Sequence, residues 1–286
     1  MSVITFVNNV DEESGKTMSL VAIATNMAIM NNQRILIIST TNREDRIKSC
    51  YFADQNTKRL RFGLLGNRPQ SIETESGIEG LAKIARSNKL TPQMITNYTK
   101  VVFKDRLEII LGVDKNKKQN IIDDDKEIAE EYITLVNVAK MYYDQVFVDL
   151  DFNLSPEVRE KIVDSSDLVI VNSSQNYNSI KKLKEKKDNS KILQSPKTMI
   201  LIGKYDKFSK YNIKNISRFL DEKKQVLGIP YNTLFMEATN EAGVPDFFLK
   251  LKRISNSDDR NALFIQEVDR ATQGILYRLQ ELQTMR

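Results

Sequence analysis

Residues 3–17 read VITFVNNVDEESGKT, and this stretch decides the fold. Its first five residues are apolar or β-branched, which predicts a buried strand. A polar loop follows, and residues 18–30 then show alanine content and apolar spacing that suit a helix. A strand that leads through one loop into a helix is the opening of a βαβ unit, so this stretch predicts an α/β fold.

Further apolar runs repeat the strand pattern. They are residues 35–38, 107–111, 145–148, 168–171 and 199–202, with a shorter run at 226–230. Helical patterns occur between and after them, at residues 77–87, 92–98, 126–142 and 262–285. Strands without polar alternation are buried on both faces, so we expect a doubly wound, mostly parallel sheet with helices on both faces. We expect one domain across residues 1–286, with an insertion-like region around 41–106 and a charged loop at 114–126.

Composition limits the chemistry. The hydrophobic fraction of 41% and the charged fraction of 28% are typical of a globular protein, and no apolar run is long enough to span a membrane. Histidine is absent and Cys50 is the single cysteine. This excludes histidine-based triads, histidine or multi-thiolate zinc sites and an intramolecular disulfide. A lone thiol fits a reducing compartment, so we expect a cytoplasmic protein.

The first strand-to-helix turn carries Ser14, Gly15, Lys16 and Thr17. In a phosphate-binding loop, backbone amides surround the phosphates, the lysine reaches the β- and γ-phosphates and the threonine hydroxyl binds magnesium. The helix N-terminus adds its positive dipole. The position of this short motif at the first turn favours a phosphate-binding role.

The rest of the loop departs from that motif. Val10 stands where the motif has glycine, and Asp11, Glu12 and Glu13 occupy the part that would wrap the phosphates. A carboxylate about 6 Å from a phosphate repels it by roughly 2–3 kcal/mol at an effective dielectric constant near 20. The alternative interpretation is an ordinary helix start with acidic residues at its dipole-favoured end.

In order and spacing, these pieces resemble the MinD/ParA class of P-loop ATPases (the SIMIBI class) over nearly the whole chain. The family's Lys-Gly-Gly-x-Gly-Lys-Thr loop corresponds to residues 11–17, and its Tyr-Asp-x-(apolar)₃-Asp strand to residues 143–149. An aspartate before an apolar strand recurs at residues 167–171. The late G-x-I-P and Asn-x-Gly segments resemble residues 227–231 and 238–245.

The resemblance implies a site for ATP and Mg²⁺. Lys16 would contact the phosphates, within a loop that Ser14 and Gly15 complete. Thr17 would ligate magnesium, and Asp149 would hold that ion through water.

It also implies losses that make the Walker A motif degenerate. Asp11 replaces the lysine that crosses the family's dimer to the partner's nucleotide. Ser39 and Thr41 stand where the second strand usually ends in carboxylates, and Gly203 and Lys204 replace a base-recognising Asn-Arg pair. We therefore expect weak ATP binding and very slow or absent hydrolysis.

By this resemblance the chain is a positioning, partitioning or secretion- or conjugation-machine assembly factor that forms a homodimer and binds a protein partner. Residues 77–82 and 106–112 are similar to TadZ/CpaE-like members, which position secretion and pilus assemblies. Two alternatives stay open. One is a scaffold of the same fold that binds no nucleotide, and the other is a DNA-associated partition protein.

Three further features allow two interpretations each. Asp149 and Asp151 either share a metal or the second begins the next turn. The lysine-rich residues 181–187, in a chain of net charge +5, either contact nucleic acid or acidic lipid or form a solvated helix face. The apolar stripe of residues 262–285 is expected to pack on the sheet or on a partner, so membrane contact is at most peripheral.

Overall fold

The computed structural model describes residues 1–9, 14–40, 46–53, 77–112, 125–252 and 259–285. Val10, the acidic residues 11–13, Thr41 and most of the charged loop at 114–126 lie outside these ranges. The strands are β1 (Ser2–Asn8), β2 (Ile35–Ser39), β3 (Lys100–Phe103), β4 (Leu107–Ile110), β5 (Gln145–Asp149), β6 (Leu168–Ser174), β7 (Thr198–Tyr205) and β8 (Leu227–Pro230). The helices are α1 (Lys16–Met30), α2 (Arg46–Tyr51), α3 (Ile78–Arg86), α4 (Pro92–Tyr98), α5 (Asp125–Ala139), α6 (Pro156–Asp164), α7 (Tyr177–Lys187), α8 (Lys191–Gln194), α9 (Ile213–Phe219), α10 (Thr233–Asn240), α11 (Val244–Leu251) and α12 (Arg260–Thr284).

The strands form one sheet in the order β3-β4-β2-β5-β1-β6-β7-β8. Neighbouring strands pair in parallel except β3, which runs antiparallel to β4. The predicted mostly parallel sheet is confirmed. Because β1 lies between β5 and β6, the loops that follow these three strands meet at the carboxyl edge, where open α/β sheets bind ligands.

Each face of the sheet is covered by its own hydrophobic core. Val3 packs in a core with side chains of α3 to α9, whereas Ile4 and Phe6 pack in a second core with α1, α2 and α10 to α12. Successive side chains of a strand point to opposite faces, so an unbroken apolar strand supplies both cores. The predicted helices on both faces are confirmed.

Several element boundaries differ from the sequence prediction by a few residues, and one strand was not predicted. Helix α1 begins two residues before Met18, and the helix expected over 126–142 ends at Ala139. The region around 41–106 contains the edge strand β3, which sequence analysis missed. It has four residues, is partly exposed and directly follows α4. Its apolar run, residues 101–103, is only three residues long. In the described part of the chain, no helix combines the length and apolarity needed to cross a membrane.

Candidate nucleotide-binding site

The carboxyl ends of five neighbouring strands place a row of small or polar residues on one face. The alternation along β2, β5, β1, β6 and β7 directs one residue at or near the end of each strand toward the α1 side of the sheet. These residues are Ser39, Asp149, Asn8, Asn172 and Gly203. The register sets Ser39 beside Asp149 and Asn8 beside Asn172.

Lys16 and Thr17, at the start of α1, both contact Asp149 of this row. The Lys16 Nζ lies 2.7 Å from the Asp149 Oδ1 and also donates to the Leu150 carbonyl. The Thr17 hydroxyl donates to the other carboxylate oxygen of Asp149 at 2.8 Å. Lys16 and Asp149 are only 7% and 8% exposed, so water screens their attraction weakly.

Gly15 and Ser14 set the entry into α1. Gly15 has a φ of 77°, a left-handed conformation that favours glycine, and its carbonyl accepts the first helical hydrogen bond, from the Ser19 amide. The buried Ser14 hydroxyl donates to the Asn8 side-chain carbonyl at 2.8 Å. The end of β7 packs directly on this turn, since a Cβ on Gly203 would lie 2.1 Å from the Ser14 carbonyl oxygen. Four predicted site residues, Ser14 to Thr17, are therefore held at one place with Asp149.

A small cavity lies beside the turn into α1. It has a volume of about 20 Å³ and is lined in part by Gly15, Lys204, Ile229 and Phe235. A cavity of that size holds about one water molecule.

The second strand supplies hydroxyl groups at this edge. The Ser39 hydroxyl is buried and has no hydrogen-bond partner among the described residues. Thr40 accepts from the Asp151 amide and donates to the Asp149 carbonyl, so its role is structural. Asp151 accepts two hydrogen bonds from Asn153, which identifies it as the start of the next turn.

Asn172 is a site residue that sequence analysis missed. It is 0% exposed, and neither its Nδ2 nor its Oδ1 has a partner in the described part of the chain. The Nδ2 would lie 3.2 Å from a Cβ on Gly203, so the amide faces the floor of the turn. The signal was present as an asparagine that closes the apolar run of β6.

The donor set fits a magnesium ion accompanied by phosphate. Magnesium prefers oxygen ligands and is usually held by one or two protein groups together with substrate phosphates and water. The Thr17 hydroxyl and the Asp149 carboxylate are such groups, already within hydrogen-bond distance. Within the described ranges, no group of three acidic, histidine or cysteine side chains offers a metal site made by protein alone.

Comparison with known proteins identifies the fold. No family model and no curated protein matches the sequence. Among solved structures, a ParA family ATPase from Chlorobium tepidum is 14% identical with a TM-score of 0.62, covering 94% of this chain and 97% of its own. A putative plasmid partition protein from Borrelia burgdorferi bound to AMPPNP is 18% identical with a TM-score of 0.60, covering 98% of both chains. MinD in the MinC:MinD cell division complex of Aquifex aeolicus is 12% identical with a TM-score of 0.61, covering 96% of both chains.

The chain therefore has the α/β fold of the ParA and MinD P-loop ATPases. The likeness extends over nearly the full length of both partners in each comparison. At these identities it establishes the fold alone, because function resides in the residues of the site and not in the fold.

Proposed function

We propose that this protein is a MinD/ParA-like positioning or partitioning factor that binds Mg²⁺-ATP weakly at residues 14–17. The observation that carries the proposal is the contact of Lys16 and Thr17 with Asp149 at the carboxyl edge of the central strands. A helix N-terminus, a buried lysine, a hydroxyl and a carboxylate are together the groups that a nucleotide triphosphate and its cation require. The AMPPNP-bound relative of the same fold supports this choice of ligand.

Binding would require Lys16 to exchange partners. In the structure its ammonium group is held by Asp149 and the Leu150 carbonyl. Phosphate oxygens would replace these partners, and Asp149 and Thr17 would keep two oxygens for the cation. Magnesium, when bound, neutralises phosphate charge. Because the exchange breaks a buried ion pair, we expect weaker binding than an intact phosphate-binding loop provides.

Hydrolysis is expected to be very slow or absent. The buried Ser39 hydroxyl lies beside Asp149, where a second carboxylate would orient water or the cation. Loss of a group that positions water costs orders of magnitude in rate. Turnover near 10 s⁻¹, typical of a metabolic enzyme, would contradict this part of the proposal.

Titration calorimetry with ATP, with and without Mg²⁺, tests the binding site. Lys16→Ala should abolish magnesium-dependent binding, and Thr17→Val should remove the magnesium dependence. Lys182→Ala, an exposed change on α7, serves as the matched control and should bind as the unmodified protein does. Binding that survives Lys16→Ala would place the nucleotide elsewhere.

A scaffold that binds no nucleotide is the second candidate. Two observations favour it: Lys16 is fully engaged within the protein, and the cavity beside Gly15 has a volume of only about 20 Å³. In that case neither titration gives heat, and the protein acts through partner contacts alone.

The DNA-associated alternative is less well supported by the lysine-rich segment. Lys186 donates to the Asn9 carbonyl, Lys187 pairs with Glu222 at 3.0 Å, and Lys184 lies over the Phe219 ring. Three of its lysines thus make contacts within the protein.

The proposal also includes an oligomeric state and a protein partner. We infer a homodimer formed through the phosphate-loop face and a protein partner that it positions, as the MinC:MinD complex supports. The resemblance of residues 77–82 and 106–112 to TadZ/CpaE-like members suggests a secretion or pilus assembly as the machine that is positioned.

A further inference from the structure

Strand β8 ends the sheet with one edge free of other described strands. Within the described residues it pairs only with β7, on its inner side. Ile213 of α9 packs on one face of Gly228, and α12 packs on the other face, where Gly274 lies against Leu227. Both faces of β8 are therefore covered, while the outer edge opens between two helices.

A groove of about 750 Å³ follows this open edge. Its walls come from α9, the loop that precedes β8, and α12. Val226 and the β8 residues Leu227 and Gly228 form part of its floor. An open strand edge presents unpaired N–H and C=O groups, which another extended chain satisfies by pairing.

The groove carries a positive charge. Five basic and two acidic side chains line it, and both acids are paired, Glu222 with Lys187 at 3.0 Å and Glu267 with Arg270 at 2.7 Å. The remaining basic residues are Lys207, Lys214, Lys223 and Lys224. Burial is the main cause of the lowered pKa of Lys224; the Glu222 carboxylate opposes it, and Arg278 and Lys187 add smaller repulsions.

We propose that the β8 edge binds an extended, acidic segment of another protein, which adds to the sheet as a further strand. Backbone hydrogen bonds to β8 supply the pairing, and the lysines on the groove walls select glutamate or aspartate side chains. The inference is independent of nucleotide binding, because the groove shares none of its lining with residues 14–17 or Asp149.

Nucleic acid is the competing ligand for a basic groove, and the strand edge in its floor disfavours it. The floor is the edge of a strand, whose alternating donors and acceptors match a peptide backbone better than a phosphate backbone of acceptors alone.

Fluorescence anisotropy tests the proposal on the full-length protein. The probe is a labelled mixture of peptides with glutamate at alternate positions and valine, isoleucine, threonine or tyrosine between. A length of about eight residues exceeds the roughly 13 Å spanned by β8. Matched mixtures carry lysine in place of glutamate, or N-methyl groups on the amides of one edge. A labelled single-stranded oligonucleotide is titrated in parallel.

We expect the acidic mixture to bind and both matched mixtures to fail. Lys214→Glu with Lys223→Glu should weaken binding roughly tenfold or more, since two exposed attractions become repulsions. Lys181→Glu with Lys182→Glu on α7 is the matched control and should leave binding unchanged. On binding, hydrogen exchange of the β8 amides should slow.

Three results would overturn the inference. The first is no peptide binding up to about 1 mM. The second is equal binding of the N-methylated mixture, which would exclude strand addition. The third is binding of the oligonucleotide alone, lost in the Lys214 and Lys223 variant, which would assign the groove to nucleic acid.

Discussion

The buried ion pair between Lys16 and Asp149 makes a quantitative prediction about stability in the absence of ligand. The two charges are 2.7 Å apart, with side chains 8% and 9% exposed. At an effective dielectric constant near 20, their attraction is about 6 kcal/mol before desolvation is subtracted. Removing one partner leaves the other charge buried, so Lys16→Met or Asp149→Leu should each lower the free energy of unfolding by about 3–5 kcal/mol.

The double variant should lose much less than the sum of the single variants. With both charges replaced by apolar groups of similar size, the remaining loss is about 1–2 kcal/mol, chiefly because the Thr17 hydroxyl loses its acceptor. The coupling energy between the two substitutions should therefore be at least about 3 kcal/mol. Urea unfolding followed by circular dichroism, without nucleotide or Mg²⁺, measures all four proteins.

Lys181 and Glu185 on α7 provide the control pair. Their charged atoms are 3.9 Å apart, and their side chains are 58% and 62% exposed, so their coupling should be below about 0.5 kcal/mol. If the coupling energy of the Lys16 and Asp149 substitutions were as small as that of the control pair, the two side chains would not form a buried ion pair in the absence of nucleotide. The expected partner exchange on nucleotide binding would then have no basis.

Three other expectations concern packing, pH and assembly. Gly203→Ala should destabilise the protein by about 1–3 kcal/mol in thermal unfolding, because its Cβ would lie 2.1 Å from a carbonyl oxygen of the phosphate loop. Gly243→Ala, with no neighbour nearer than 3.4 Å, should cost less. Burial raises the pKa of Glu222, but hydrogen bonds from the Lys224 amide and the Lys187 side chain outweigh burial and lower it. The ionised Glu222 side chain thus stabilises the fold above the usual carboxyl pKa of 4.5, and this contribution is lost as pH falls through the lowered pKa. In Glu222→Gln, the midpoint of urea unfolding should therefore decrease less on acidification than in the unmodified protein. Added salt should strengthen an ATP-bound dimer in light scattering, because it screens the acidic loop from the partner's phosphates over about 8 Å. A monomer under every condition would refute dimerisation.

The sequence predicted the sheet well because its strands are buried on both faces. Runs such as residues 35–38 and 168–171 carry no polar alternation, and this pattern has few explanations other than a covered parallel sheet. Strand β3 differs, since it is a short edge strand that pairs with β4 alone among the described strands, although Val102 and Phe103 also pack against the core. Tertiary pairing of that kind leaves no periodic signal in the sequence.

The candidate site was likewise predictable from the sequence only in part. Lys16 and Thr17 were identified because they are adjacent in sequence, and Asp149 because it ends a recognisable strand. The contact between Lys16 and the Leu150 carbonyl involves a backbone atom that any residue would supply. The packing of Gly203 on Ser14 joins residues far apart in the chain, and no local pattern encodes such a contact.

Asn172 has an energetic consequence for whatever binds above it. Its amide is fully buried, and neither polar atom has a hydrogen-bond partner among the described residues. Burying such a group costs about 1–3 kcal/mol when it stays unsatisfied. A ligand that pairs with this amide would therefore gain a hydrogen bond to a group that folding has already removed from bulk water, so part of the desolvation cost of recognition is met in advance.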